Sequence, residues 1–218
     1  MKVLVACEES QRVCKAFREK GHEAYSCDII ECSGGHPEWH IMQDVIPLLN
    51  GRCSFKTCDG TLHSIDGKWD MIIAHPPCTY MSKAGARWMY PKAGFISEKR
   101  LKLAFEAKDF FFRFINADCD RIAVENPVPL KIVGLPLPTQ KIQPFEFGEP
   151  FSKCTCLWLK GLPKLLPTDV LADYKPFLPS NTGGFSRGKG GSRGFAHDAK
   201  TASKTFPGIA KAMAEQWG

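Results

Sequence analysis

The sequence lacks any apolar run approaching the roughly 18 residues that a membrane-spanning helix requires, which excludes a helical membrane protein. Its opening, Met-Lys-Val-Leu-Val-Ala-Cys-Glu, has the β-branched apolar character of a first strand and not the composition of a secretory signal. No internal repeat is present, and none of the ten cysteines forms a Cys-x2-Cys pair. The nearest imitations of a metal cluster are Cys32 with His36 and His40, and Cys53-x4-Cys58 with His63. Neither has the ligand spacing of a tetrahedral zinc site, and no metal is expected. Cysteines scattered through a chain without a signal peptide read as reduced thiols in a cytoplasmic protein.

What is present is enough to bury a core. The chain has 218 residues, 44% of them hydrophobic, which predicts one principal domain with a small appendage. The net charge of +6 is modest, but cations gather late, in residues 186–193. Arg187, Lys189 and Arg193 are the candidates there for contacts with phosphates, a polyanionic partner being permitted by this charge.

Strand and helix patterns alternate along the first half. Residues 2–6 read as a strand, and 10–20 as an amphipathic helix ended by Gly21. Residues 23–28 form a second strand closed by an acid, and a short strand-like piece closes at Asp44. Asp59-Gly60 and Asp66-Gly67 mark residues 53–68 as a hairpin excursion. A buried strand over 69–74, a long, well-buried helix over 97–116 and a strand over 122–127 follow. This order predicts an α/β fold with a doubly wound, mostly parallel sheet. Beyond Val128, nine prolines in about 50 residues prevent long helices, and short edge strands or hairpins are expected over 145–150, 155–159 and 163–167. Residues 181–194 read as a Gly/Ser/Arg loop. A final helix over 206–217, opened by Pro207, places Ile209, Ala212, Met213 and Trp217 on one face. The expected organisation is a catalytic unit over 1–135, a small substrate region over 136–203, and a returning helix over 204–218.

The most informative stretch is Ile73-Ala-His75-Pro-Pro-Cys78-Thr-Tyr80. It sets a cysteine after a stiff Pro-Pro pair at the carboxyl end of an apolar strand, where open α/β sheets bind their ligands. About 47 residues on, Ile122-Ala-Val-Glu125-Asn-Pro127 ends a second strand in a carboxylate. A nucleophilic thiol paired with a carboxylic acid suits addition to a pyrimidine. Attack at C6 makes C5 a carbon nucleophile, while Glu125 holds the ring nitrogen. Trp88, Tyr90 and Phe95 in the following loop are placed to enclose a base.

Pro76-Pro77-Cys78 together with Glu125-Asn126-Pro127 resembles the DNA cytosine-5 methyltransferases, whose nucleophile lies in a Pro-Cys motif and whose second catalytic residue lies in a Glu-Asn motif. In detail the chain is similar to compact methyltransferase-like proteins of phage and prophage genomes, with their Ala-Cys-Glu openings and segments like Leu157-Trp-Leu-Lys-Gly-Leu-Pro163. The resemblance covers residues 1–130 in motif order. It implies a Rossmann-like class I methyltransferase fold, S-adenosylmethionine as cofactor, and double-stranded DNA with a flipped cytosine as partner. It implies catalytic roles for Cys78 and Glu125. Cofactor contacts would come from Ala6, Cys7, Glu8 and Ser10 after the first strand, from Asp28 with Ile29 at the ribose, from Asp44 near the adenine amine, and from His75 and Pro76. Substrate contacts would come from Pro77, Asn126 and Gln143. Two departures stand out. The family's Phe-x-Gly-x-Gly opening is replaced by Ala6-Cys-Glu-Glu-Ser10 without glycine, and its Gln-x-Arg-x-Arg element by Gln140-Lys-Ile-Gln143 without arginine. The same residues also admit C5 modification of a free nucleotide, transfer of a group other than methyl, or an inactive nucleic-acid-binding relative. Whether the protein is a monomer or a homodimer is left open.

Overall fold

A computed structural model of the chain describes residues 1–177 and 199–218. In chain order its regular elements are β1 (Lys2–Ala6), α1 (Arg12–Glu19), β2 (Glu23–Asp28), β3 (His40–Met42), β4 (Cys53–Lys56), β5 (Leu62–Ile65), β6 (Met71–Ala74), α2 (Ala86–Met89), α3 (Glu98–Ile115), β7 (Ile122–Pro127), β8 (Gln140–Ile142), β9 (Phe151–Ser152), β10 (Thr155–Lys160), β11 (Lys175–Pro176), α4 (Ala199–Ser203) and α5 (Pro207–Trp217). The main sheet has seven strands in the order β3-β2-β1-β6-β7-β10-β8. Its first five strands pair in parallel, whereas β10 runs antiparallel to both neighbours. The result is a mixed, mostly parallel α/β sheet compatible with a Rossmann-like fold. Among the described residues no helix is long and apolar enough to cross a membrane.

The central strands β6 and, from Val3 onward, β1 are wholly apolar because both faces are covered. Leu4, Ile72, Ile122 and Val124 point to one face, where α3 lays Ala104, Phe111 and Phe114. Val3, Val5, Ile73 and Ala123 point to the other, covered by α1 and α5. Ser97 caps α3 by accepting the Arg100 N–H at 3.4 Å. The helix expected to be well buried is amphipathic, with Phe105 on its outer face 44% exposed. Phe111 meets Trp158 edge-on with ring centroids 5.0 Å apart. Phe111→Ala therefore removes a fully buried ring at the joint between α3 and β10, and should cost about 3–5 kcal/mol of unfolding free energy, read from urea midpoints at constant slope.

The expected hairpin is β4–β5, a two-stranded sheet of its own whose Phe55 stacks on Trp69 at 6.0 Å. Three expectations for the proline-rich half are corrected. Residues 155–159 form no edge strand. As β10 they lie inside the main sheet, and β8 at its edge was not expected at all. Residues 145–150 are not a strand, because Pro144 opens a 3-10 turn through Glu146 whose carboxylate takes the Gln143 N–H at 2.6 Å. Residues 163–167 stay irregular. The main sheet thus draws two strands from beyond residue 135. The terminal helix follows the expected face, with Ile209, Ala212, Met213 and Trp217 all buried.

Candidate active site

The strand order reverses between β1 and β6, so the carboxyl ends of β1, β2, β6 and β7 open onto one edge, where ligands collect in such sheets. The chain leaving β6 is anchored at nearly every residue. His75 donates its backbone N–H to the Ala6 carbonyl at 2.9 Å, and the Pro76 carbonyl accepts from Asn126 Nδ2 at 2.8 Å. The Cys78 carbonyl accepts from Met81 and Ser82 at 3.1 and 3.0 Å, and the Thr79 carbonyl from the Arg100 guanidinium at 2.6 Å. Leu130 and Lys83 then stitch this turn to the chain leaving β7. A proline pair fixes two φ angles, and these bonds fix the rest, so the Cys78 turn and the Glu125-Asn126-Pro127 strand end are held side by side.

Within this frame His75 Nδ1 and Glu125 Oε2 lie 2.9 Å apart, both side chains about nine-tenths buried. Burial pushes Glu125 up, but the hydrogen bond and charge of His75, with help from Lys153, bring its carboxyl below the usual range. For His75 burial pulls down, and the Glu125 bond and the charges of Glu125 and Glu8 outweigh it and raise the imidazole. Both shifts favour an imidazolium–carboxylate pair. The Cys78 thiol is raised by burial and then by the Glu125 charge, while Lys153 pulls it back. At rest it is a protonated thiol. His75 Nε2 and Asn126 Oδ1 are buried and have no hydrogen-bond partner among the described residues. Such atoms carry a desolvation cost unless a ligand meets them.

The segment after β1 is shaped by α1. Cys7 and Gln11 both hold positive φ, 58° and 56°, conformations that non-glycine residues enter only when the surroundings impose them. Gln11 is fully buried and clamps the backbone of His36 by two bonds, 2.8 and 3.0 Å. A Cβ on Gly34 would fall 2.5 Å from Gln11 Cβ, so only glycine fits beneath this clamp. The Glu8 carboxylate accepts from Val13 and Cys14 N–H at 2.6 and 3.2 Å. It satisfies the start of α1, and its charge also bears on His75. Ser10 is buried in the same turn. Glu9 faces Lys204 at 3.7 Å, and its second oxygen is buried without a partner among the described residues.

Asp28 ends β2 half-buried, one oxygen accepting Ile29 N–H at 2.7 Å, and burial raises its carboxyl. Ile29 beside it is 77% exposed. Asp44 is exposed and accepts the Ile46 N–H at 3.0 Å. Pro77 is exposed at the mouth, whereas Ala6 and Pro76 are buried beneath it. Gln143 Oε1 accepts the Lys153 N–H at 2.9 Å, and the Gln140 side chain is spent on the backbone of Leu165. Arg187, Lys189 and Arg193 lie outside the described residues. Neither a family model nor a curated protein matches this chain in sequence. Lys153 is the residue that motif reading missed. It stands four residues before Leu157, the β10 partner of Glu125, and its charge bears on His75, Cys78 and Glu125.

The expected metal imitations are otherwise engaged. His40 bonds Ser26 and the Ile30 carbonyl, His63 bonds Tyr25 and Thr57, and His36 bonds Glu38. Among the described residues no three His, Cys, Asp or Glu side chains cluster as a metal site. All ten cysteines are free thiols.

Proposed function

We propose that this chain is an S-adenosylmethionine-dependent methyltransferase that modifies C5 of cytosine in DNA through a covalent Cys78 adduct. The observation that carries the reading is the clamp from Asn126 to Pro76, which joins the Pro-Pro-Cys turn to the Glu125 strand end over a buried ion pair. Cys78 attacks C6 as its proton departs, and Glu125 holds the ring at N3 and the exocyclic amine, stabilising charge that develops there. S-adenosylmethionine, when bound, supplies an electrophilic methyl group on a good leaving group. The open edge has side chains that fit it: the half-buried Asp28 carboxylate to accept from ribose hydroxyls, the exposed Ile29 side chain for the face of an adenine, and the Asp44 carboxylate to accept from its amine. Glu8 holds the start of α1 beside this region.

A base inside a duplex is out of reach and has to be extruded. In support, the loop after Cys78 exposes Trp88 (57%) and Phe95 (67%), with the Arg87 guanidinium 4.6 Å over the Trp88 ring. Stacking faces beside cations suit an unpaired base and its phosphates. Incubation with methyl-labelled S-adenosylmethionine and mixed-sequence DNA, followed by digestion to nucleosides, should place label in 5-methylcytosine. Label on adenine N6, or on free nucleotides only, overturns the reading.

A further inference from the structure

Cys78 and Glu125 are badly matched as neighbours. A partly buried thiol gives up its proton reluctantly, and a carboxylate beside it opposes the thiolate further. The family resembled here meets its base with the arginines of a Gln-x-Arg-x-Arg element, where this chain has Gln140-Lys-Ile-Gln143. The charged and titratable groups around this pair are Glu8 after β1, His75 after β6, Lys153 before β10 and Cys156 on β10. Of these, only His75 contacts the Glu125 carboxylate, at 2.9 Å, and its other nitrogen is buried and unpartnered among the described residues. Lys153 is tied by its Nζ to the Ala202 carbonyl at 2.7 Å, which fixes where its charge sits.

We propose that His75 is a positioning residue for the nucleophile: as the charge partner of Glu125, with Lys153 as a second cation, it lets Cys78 ionise beside a carboxylate. This rests on the methyltransferase reading for its purpose, but not for its test. In the addition step the S–C6 bond forms from the sulfur electron pair, the C5=C6 pair shifts to C4=C5, and the C4=N3 pair takes a proton at N3. The thiol releases one proton to water and N3 takes one from water, its new N–H donating to the Glu125 carboxylate, so no net acid or base is consumed. His75 keeps its proton throughout and offsets the charge on Glu125 while sulfur becomes anionic.

The test needs no substrate or cofactor. Iodoacetamide alkylation of Cys78 in the intact protein, followed residue by residue by mass spectrometry, reports the thiolate fraction. At pH 7.5, His75→Asn should slow Cys78 alkylation about tenfold, the size of one unit of thiol acidity. Glu125→Gln should speed it, and the double variant should return to the wild-type rate or above it. This cycle separates charge from structure, because mere loosening of the site would speed alkylation in His75→Asn. An unchanged rate in His75→Asn, or a double variant as slow as His75→Asn, overturns the proposal. The wild-type protein gives an independent reading if the variant fails to fold. Its rate should climb with pH less steeply than a single ionisation, because His75 loses its charge over the same range; a simple one-group curve overturns the proposal. The methyltransferase reading fails separately, through absence of a covalent complex with 5-fluorocytosine DNA while the alkylation pattern holds.

Discussion

Cys78→Ser should abolish covalent capture of DNA carrying 5-fluorocytosine, and should lower methyl transfer on the order of 10^4-fold or more, as loss of a covalent nucleophile does elsewhere. The substitution is small. The Cys78 side chain is only partly enclosed, and the turn is held by the backbone N–H groups of Met81 and Ser82 and by the Arg100 guanidinium, bonds to main-chain carbonyls that a serine leaves in place. Folding should therefore survive, with a urea midpoint close to the wild type. A serine hydroxyl in the same position is far harder to ionise than a thiol, and the Glu125 charge that raises the thiol would raise the alkoxide as well. Capture that persists in Cys78→Ser removes this residue from the chemistry. Cys154 would then be the next thiol to examine. Its neighbour Cys156, together with Lys141 and Lys83, holds it down to about 6 against its burial, and it lies next to Lys153.

The parts of the fold that could be read from sequence are those fixed by local pattern. The strands β1, β2 and β7 have the expected limits because each is a β-branched or apolar run bounded by a turn residue or an acid. The face of α5 follows from its helical spacing. Proline obscured the second half by suggesting edges. Pairing between β7 and β10 is a tertiary event, and nothing in Thr155-Cys-Leu-Trp-Leu-Lys160 says that its partner lies some 30 residues earlier. Residues 163–167 look like a strand because Leu165 is buried, yet the Gln140 side chain bonds both the N–H and the carbonyl of Leu165 at 2.8 and 2.7 Å. A side chain has taken the place of a partner strand. The candidate site divides in the same way. Cys78 and Glu125 declare themselves at strand ends. His75 was visible, but as a cofactor contact; its bond to Glu125 exists only once β6 and β7 are neighbours. Lys153 depends on β10 entering the sheet, and the bonds of Glu8 to the first N–H groups of α1 appear only once that helix has folded back onto the chain after β1.

Glu125→Gln is expected to slow adduct formation about 10^2–10^4-fold, the range for a positioned acid–base group, and to leave a second mark on stability. Burial opposes the Glu125 charge, but the His75 bond prevails, so its folded carboxyl titrates below the ordinary value of 4.5. A depressed acid contributes stability that is fully present above that ordinary value and is lost as pH falls through the lower, folded one. His75 behaves oppositely. Burial opposes its charge, yet Glu125 and Glu8 raise it above 6.5, so its contribution is complete below 6.5 and is lost as pH rises through the folded value. Both contributions are whole only between 4.5 and 6.5. The amide can still accept from His75 Nδ1–H, so the variant should fold, but it removes the charge that sustains both shifts. The excess unfolding free energy of the wild type over Glu125→Gln, measured by urea titration at a series of pH values, should therefore pass through a maximum in that window and shrink on either side. An excess that is flat across pH would mean that pairing shifts neither titration, and the Cys78 thiol would then sit beside a carboxylate whose charge His75 does not offset.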